Sequence, residues 1–189
     1  MKIKDFKHFI NEAYTTLKAK DSEDMVKQFA KKYKITEDDI DTLMYVIHSD
    51  DHVGSELKSV IAKLQKTGEV PKMTLYRGCS DVELEAIIAN KHSIVDTLSF
   101  SENKNIAKSF GKNIIEIEAK VPMFCYHKFL GEWYTTLKNV DASEYDAVDG
   151  DFMIESAEEE LEWICTNDYE FTMTAKRAST GDFIFSLNK

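Results

Sequence analysis

GSELKSVIAKLQKTGEVPKMTLYRG, running from Gly54 to Gly78, sets the fold class. Its first half carries Leu57, Val60, Ile61 and Leu64 at spacings of three and four, the period of an amphipathic helix, and Ser55 is placed to cap it. Gly68 and Pro71 stop that helix. From Met73 the period changes, and Met73–Arg77 is short and β-prone. Upstream the helical period recurs in Phe6, Phe9, Ile10, Ala13 and Leu17, in Met25, Val26, Phe29 and Tyr33, and in Ile40, Leu43, Met44 and Ile47. Thr36 and Asp39 look like a near-capping box ahead of the last group.

Downstream the pattern favours strands. Ser80-Asp81-Val82-Glu83 is a capping box opening a helix with Leu84, Ile87 and Ile88. Ile94–Ser101 reads as extended and Asn103–Phe110 as a short helix. Ile115, Ile117, Ala119 and Val121 alternate with Glu116, Glu118 and Lys120, the period-two signature of a strand. Leu161–Cys165, Tyr169–Lys176 and Phe183–Leu187 complete a strand-rich remainder. Asp141–Ala157 is acidic and reads as a linker-like loop, ordered in part through Phe152, Met153 and Ile154. Helices first and strands afterwards predict an α+β fold in a single domain, helical over residues 13–70 and strand-rich over 71–189.

Composition narrows the function. The 189 residues are 43% hydrophobic and 31% charged, as in ordinary globular chains, and the net charge is −10. That charge speaks against a dedicated nucleic-acid binder and suits a basic partner. Lys18, Lys20, Lys27, Lys31, Lys32 and Lys34 read as a solvated helix face. No apolar run approaches the roughly 18 residues that span a bilayer, so no membrane partner is expected. Cys79, Cys125 and Cys165 are few, odd in number and scattered, which fits a reducing compartment and offers no zinc spacing. His48-Ser49-Asp50-Asp51-His52 matches no common metal site and reads as an inter-helix loop. Without a glycine-rich phosphate loop, a Rossmann mode of nucleotide binding is excluded.

Three short motifs carry the chemistry, each weak alone. In Thr74-Leu75-Tyr76-Arg77-Gly78 an arginine ends a strand; its planar fork suits phosphate oxygens, and Gly78 lets backbone approach a ligand. By itself such an arginine is ordinarily a surface ion-pairer. In Leu98-Ser99-Phe100-Ser101 two hydroxyls at i and i+2 share a strand face, where they can hold a ribose or orient a carboxylate. In Glu158-Glu159-Glu160-Leu161-Glu162-Trp163-Ile164-Cys165, carboxylates two apart read as sharing one face of a strand and run straight into its apolar part.

In this order the motifs resemble the arginine–serine–glutamate class of mono-ADP-ribosyltransferases, over about Thr36 to Cys165. Gly54–Lys72 looks like the helix leading into that family's arginine strand. Ser99–Phe110, SFSENKNIAKSF, is similar to its Ser-Thr-Ser segment with the following Ala-x-x-Phe. The likeness is greatest to phage enzymes of the T-even type. The resemblance implies a two-sheet, mainly antiparallel β core, and NAD as substrate without a metal. It implies Glu162, Glu160, Ser99 and Arg77 as catalytic residues, with Arg77, Gly78, Ser99, Ser101 and Phe110 binding NAD. Phe110 would shape the nicotinamide pocket, with a buried core position as the alternative.

This chain departs from the family in two places. Phe100 stands where the family usually has Thr, and the acidic run allows a Glu158/Glu160 register as well as Glu160/Glu162. Glu162 is preferred as catalytic because three apolar residues follow it at once. A first glutamate in the pair, Glu160, implies an arginine acceptor on a host protein, presented by the 141–157 loop with Tyr145 as a contact. Lys4–Ala13 resembles the leader of proteins packaged in T-even-like phage heads, cut after Glu12. The enzyme would then act as a monomer in the host cytoplasm after entering with the DNA. The competing readings are an NAD glycohydrolase and a non-catalytic packaged head protein that binds a host factor.

Overall fold

The computed structural model describes residues 17–48, 54–140 and 150–189. The leader over residues 1–12, the side chains of residues 48–52 and Tyr145 lie outside the described residues.

Three helices come first: α1 (Ser22–Tyr33), α2 (Glu37–His48) and α3 (Gly54–Lys66). Asp21 caps α1 by accepting from the Asp24 amide at 2.8 Å, and Lys34 ends it in left-handed backbone at φ 57°. The capping box at α2 is reciprocal. Thr36 N–H donates to Asp39 Oδ2 at 2.9 Å, and Asp39 N–H donates to Thr36 Oγ1 at 3.1 Å. The apolar stripes point inward as their spacing requires, with Met25, Phe29, Ile40, Leu43, Ile61 and Leu64 buried in one core. The six N-terminal lysines are all exposed.

That core needs a fourth helix, α6 (Tyr126–Leu137), which the sequence patterns did not pick out. Its apolar residues Phe129, Leu130, Trp133, Tyr134 and Leu137 do follow the helical period, but its aromatics, threonines and Gly131 are poor helix formers. Packing overrides the propensity. Trp133 lies edge-on to Phe29 at 4.9 Å, and buried Glu132 accepts from Lys32 Nζ at 2.6 Å and Tyr33 Oη at 2.7 Å. The clamp ties α6 to α1.

The strands are β1 (Leu75–Cys79), β2 (Thr97–Ser101), β3 (Asn113–Ala119), β4 (Phe124–Cys125), β5 (Glu162–Thr166), β6 (Glu170–Lys176) and β7 (Phe183–Asn188). Between them lie α4 (Asp81–Asn90), α5 (Lys104–Ala107) and α7 (Gly150–Glu160). Instead of two sheets there is one seven-stranded sheet, ordered β4-β5-β2-β1-β3-β7-β6. It is continuous because β1 bonds on both sides, to β3 over its whole length and to β2 at Tyr76–Ser101. β3 and β7 run parallel, and the other neighbours antiparallel. A second core under the sheet holds Leu75, Leu98, Phe100, Ile115, Ile117 and Trp163.

The expected loop over residues 141–157 is helical from Gly150 onward, and α7 continues to Glu160. Ala and Glu are good helix formers, and α7 packs on α6 with Ala157 buried.

Trp133 joins the helical layer at its centre, so Trp133→Ala is expected to lower stability by about 3–5 kcal/mol in urea denaturation.

Candidate active site

The site forms where β1 and β2 part. Beyond Tyr76–Ser101 the two strands no longer pair, and the carbonyl of Ser99 faces the gap. Arg77 fills it: Nη1 donates to Ser99 O at 2.9 Å and Nε donates to Glu83 Oε1 at 3.0 Å, with Nη2 ion-paired to the same oxygen at 3.0 Å. Glu83, from the first turn of α4, is buried and also accepts from Ser93 Oγ at 2.7 Å. Two of the five guanidinium hydrogens are thus engaged in hydrogen bonds, leaving one on Nη1 and the pair on Nη2. The capping box around Ser80 is half realised. Ser80 Oγ accepts from Glu83 N–H at 3.1 Å, while the Glu83 carboxylate serves Arg77.

Gly78 is needed for a close approach, but by the protein's own backbone. A Cβ there would sit 2.0 Å from the Ala107 carbonyl, and one on Gly111 would sit 2.5 Å from the Cys79 amide. β1 and the 107–111 turn therefore pack backbone to backbone. Phe110 rides on this turn and is 70% exposed, so it is not a core residue.

The acidic run turns a corner. Glu160 is the last residue of α7, Leu161 takes left-handed backbone at φ 46°, and Glu162 is the first residue of β5. Glu158 and Glu160 are therefore helical, not on a strand as expected, and Glu162 alone of the run starts the strand. Ser101 pins the corner, its Oγ donating to Glu160 O and accepting from Asn103 N–H at 2.9 Å. Glu102 N–H donates to Leu161 O at 3.2 Å.

Across β2 and β5, Ser101 faces Glu162 and Ser99 faces Ile164, which puts both serines and Glu162 on one sheet face. Phe100, opposite Trp163, belongs to the core on the other face. Burial in the cleft wall lifts the Glu162 carboxyl to about 7. A hydrogen bond from Ser99 opposes the rise, the neighbouring Glu160 charge adds to it, and Arg77 draws it down. Burial raises Glu160 as well, with Glu159 repelling its charge.

All seven residues singled out from the sequence line one cleft of about 780 Å³: Arg77, Gly78, Ser99, Ser101, Phe110, Glu160 and Glu162. The sequence reading missed several others. Ile94 and Val95 join Phe110 as exposed apolar side chains lining the cleft, and Asp96 lines it too. Behind Glu162, His127 Nδ1 lies 3.1 Å from the Glu162 carbonyl, which can only accept, so this nitrogen carries the hydrogen. Burial lowers the pKa of His127 and favours the neutral ring. Only folding brings Glu83, Ser93 and His127 to the site, although Glu83 was visible as a capping residue. Among the described residues no group of His, Cys, Asp and Glu side chains is arranged to hold a metal.

No protein-family model and no curated protein matches this chain. Among solved structures it is similar to an ADP-ribosyltransferase from Clostridium botulinum, at 8% identity and TM-score 0.45, covering 92% of this chain and 98% of that one. Vis toxin, an ADP-ribosyltransferase from Vibrio splendidus, aligns at 11% identity and TM-score 0.43, over 90% and 87%. Exoenzyme S from Pseudomonas aeruginosa, in complex with human 14-3-3 protein beta and bound to carba-NAD, aligns at 13% and 0.41, over 88% and 74%. At these values the similarity assigns this chain no function.

Removing Glu83 strands the largely buried Arg77. Glu83→Ala is expected to cost about 3–5 kcal/mol in chemical denaturation. Glu162→Gln should act in the other direction. With a folded value near 7 against an ordinary 4.5, the folded chain keeps a proton that the unfolded chain releases between those pH values. The contribution of Glu162 to stability is therefore fully present below pH 4.5 and is lost as pH rises through 7. Glu162→Gln should raise stability by about 1–3 kcal/mol above neutral pH, a gain that vanishes in acid, as read from melting curves across pH.

Proposed function

We propose that this chain is an NAD-dependent mono-ADP-ribosyltransferase that transfers ADP-ribose to an arginine side chain of a host protein and releases nicotinamide. One observation carries the reading: Glu162, Ser99 and Ser101 share one sheet face in a cleft whose wall also holds Arg77. The cleft volume is that of a nucleotide-sized ligand site.

In this reading the remaining Nη hydrogens of Arg77 bind the diphosphate of NAD, and the exposed ring of Phe110 packs on nicotinamide. The bond from ribose C1′ to the nicotinamide nitrogen breaks, and its electron pair leaves with the neutral nicotinamide. Positive charge develops over C1′ and the ring oxygen, as in glycoside cleavage. Ionised Glu162 accepts from the ribose 2′-hydroxyl and stabilises that charge, already fixed in place by Ser99 and the pinned corner. A guanidinium nitrogen of the acceptor then bonds to C1′, and its proton passes to Glu160 or to water. The planar fork of an arginine matches the Glu160 carboxylate, which supports arginine as acceptor.

Delivery in a phage head, with the leader cut before Ala13, belongs to the same proposal. Mass spectrometry of virion protein starting at Met1 counts against it.

With labelled NAD and host lysate, wild type should label protein, and Glu162→Gln should lose roughly 10²-fold or more of that rate. Glu160→Gln should keep nicotinamide release and lose transfer. An active Glu162→Gln beside a dead Glu160→Gln overturns these roles. Free ADP-ribose as sole product assigns a glycohydrolase, and absence of NAD binding by calorimetry assigns a non-catalytic protein. Because Glu162 must be ionised, kcat/KM should rise with pH through about 7.

A further inference from the structure

The chain is poor in the side chain it is proposed to modify. Of its 24 Lys and Arg residues, 22 are lysine, and the two arginines are Arg77 and Arg177. Neither presents a free guanidinium. Arg77 lies in the wall of the cleft, its side chain 15% exposed and bonded to Glu83 and Ser99. Arg177, just after β6, has a side chain 51% exposed but is forked onto Glu116: Nε donates to Oε1 at 3.0 Å and Oε2 at 2.9 Å, and Nη2 to Oε2 at 2.7 Å. Glu116 is buried and fixed further by Lys104 Nζ at 3.0 Å, so the carboxylate cannot follow Arg177 outward. The Arg177 backbone is also held, its N–H donating to Asp182 O and its carbonyl accepting from Gly181 N–H, both at 2.8 Å.

From these observations we propose that the enzyme is exempt from its own chemistry, because its surface carries cations as lysine and both arginines are locked in ion pairs. The inference rests on the transferase reading with arginine as acceptor. In self-modification, a guanidinium nitrogen of one copy bonds to C1′ of NAD in another copy's cleft. The C1′–nicotinamide bond breaks, its electron pair leaves with nicotinamide, and one guanidinium proton goes to water. To reach C1′, Arg177 must leave Glu116, and a charge-assisted bidentate pair opposes that. A lysine ammonium offers Glu160 a single rotating donor group instead of a fork, so its nitrogen is not aligned with C1′.

The test uses the full chain with labelled NAD, agmatine as a small acceptor, and peptide mass spectrometry. Wild type should modify agmatine while carrying no ADP-ribose on Arg77 or Arg177. Lys108 is exposed near Phe110 and stands outside the proposed catalytic machinery. Lys108→Arg should gain self-label at the new arginine, roughly tenfold or more above wild type. Glu116→Gln should expose Arg177 to labelling, and the lysine variant keeps the idea testable if that protein fails to fold. Modification of Arg177 in wild type overturns the inference. So does an unlabelled Lys108→Arg variant in preparations that still modify agmatine. If no preparation modifies agmatine or any protein arginine, the transferase reading itself falls, and this inference with it.

Discussion

A sheet that splits must satisfy the backbone groups it uncovers, and here one side chain does so. β1 and β2 meet at Tyr76–Ser101 and then diverge, and Arg77 supplies the donor that the Ser99 carbonyl would otherwise take from a strand. The guanidinium is held in the gap because Glu83, itself bonded by Ser93, accepts from it on the α4 side. The same bond fixes the backbone of Ser99, and the Ser99 hydroxyl in turn reaches Glu162. The cleft, its cation and its carboxylate thus share one origin in the parting of two strands.

The corner opposite Arg77 is built against local preference. Three glutamates occupy the last turn of α7, where the helix dipole disfavours negative charge by about 0.3–1 kcal/mol each. A leucine follows in left-handed backbone, at a penalty of about 1–2 kcal/mol. Glu162 then enters a site that favours its protonated form. Hydrogen bonds from Ser101, Glu102 and His127 hold the corner. α7 itself packs on α6, whose Phe129 and Trp133 lie against Phe29 in the helical core. Strain of this kind persists only where surrounding packing over-determines it, and it concentrates at functional sites.

Legibility in the sequence followed the range of the forces involved. α1 to α3 were readable from their apolar period, and the Thr36/Asp39 box and the Ser80 cap from local hydrogen bonding. α6 was not readable, because its poor helix formers are held by contacts with Phe29 and by Glu132 reaching Lys32 and Tyr33, about a hundred residues away in the chain. The acidic run was misread as strand for a related reason. Its helical state depends on α7 packing against α6, and its end on bonds from Ser101 and Glu102.

The sequence by itself determined the α+β order, the helical stripes, and the seven residues that come to line one cleft, since each lies in a motif whose local chemistry is legible. Tertiary structure alone decided that the sheet is single, that Gly78 packs against the Ala107 carbonyl, and that Glu83, Ser93 and His127 hold the site residues. It also decided that Glu162 starts a strand while Glu160 ends a helix. The physical reason is that a motif specifies the side chains that chemistry can use. Their burial, and hence the raised carboxyl of Glu162, is set by what distant parts of the chain pack around them.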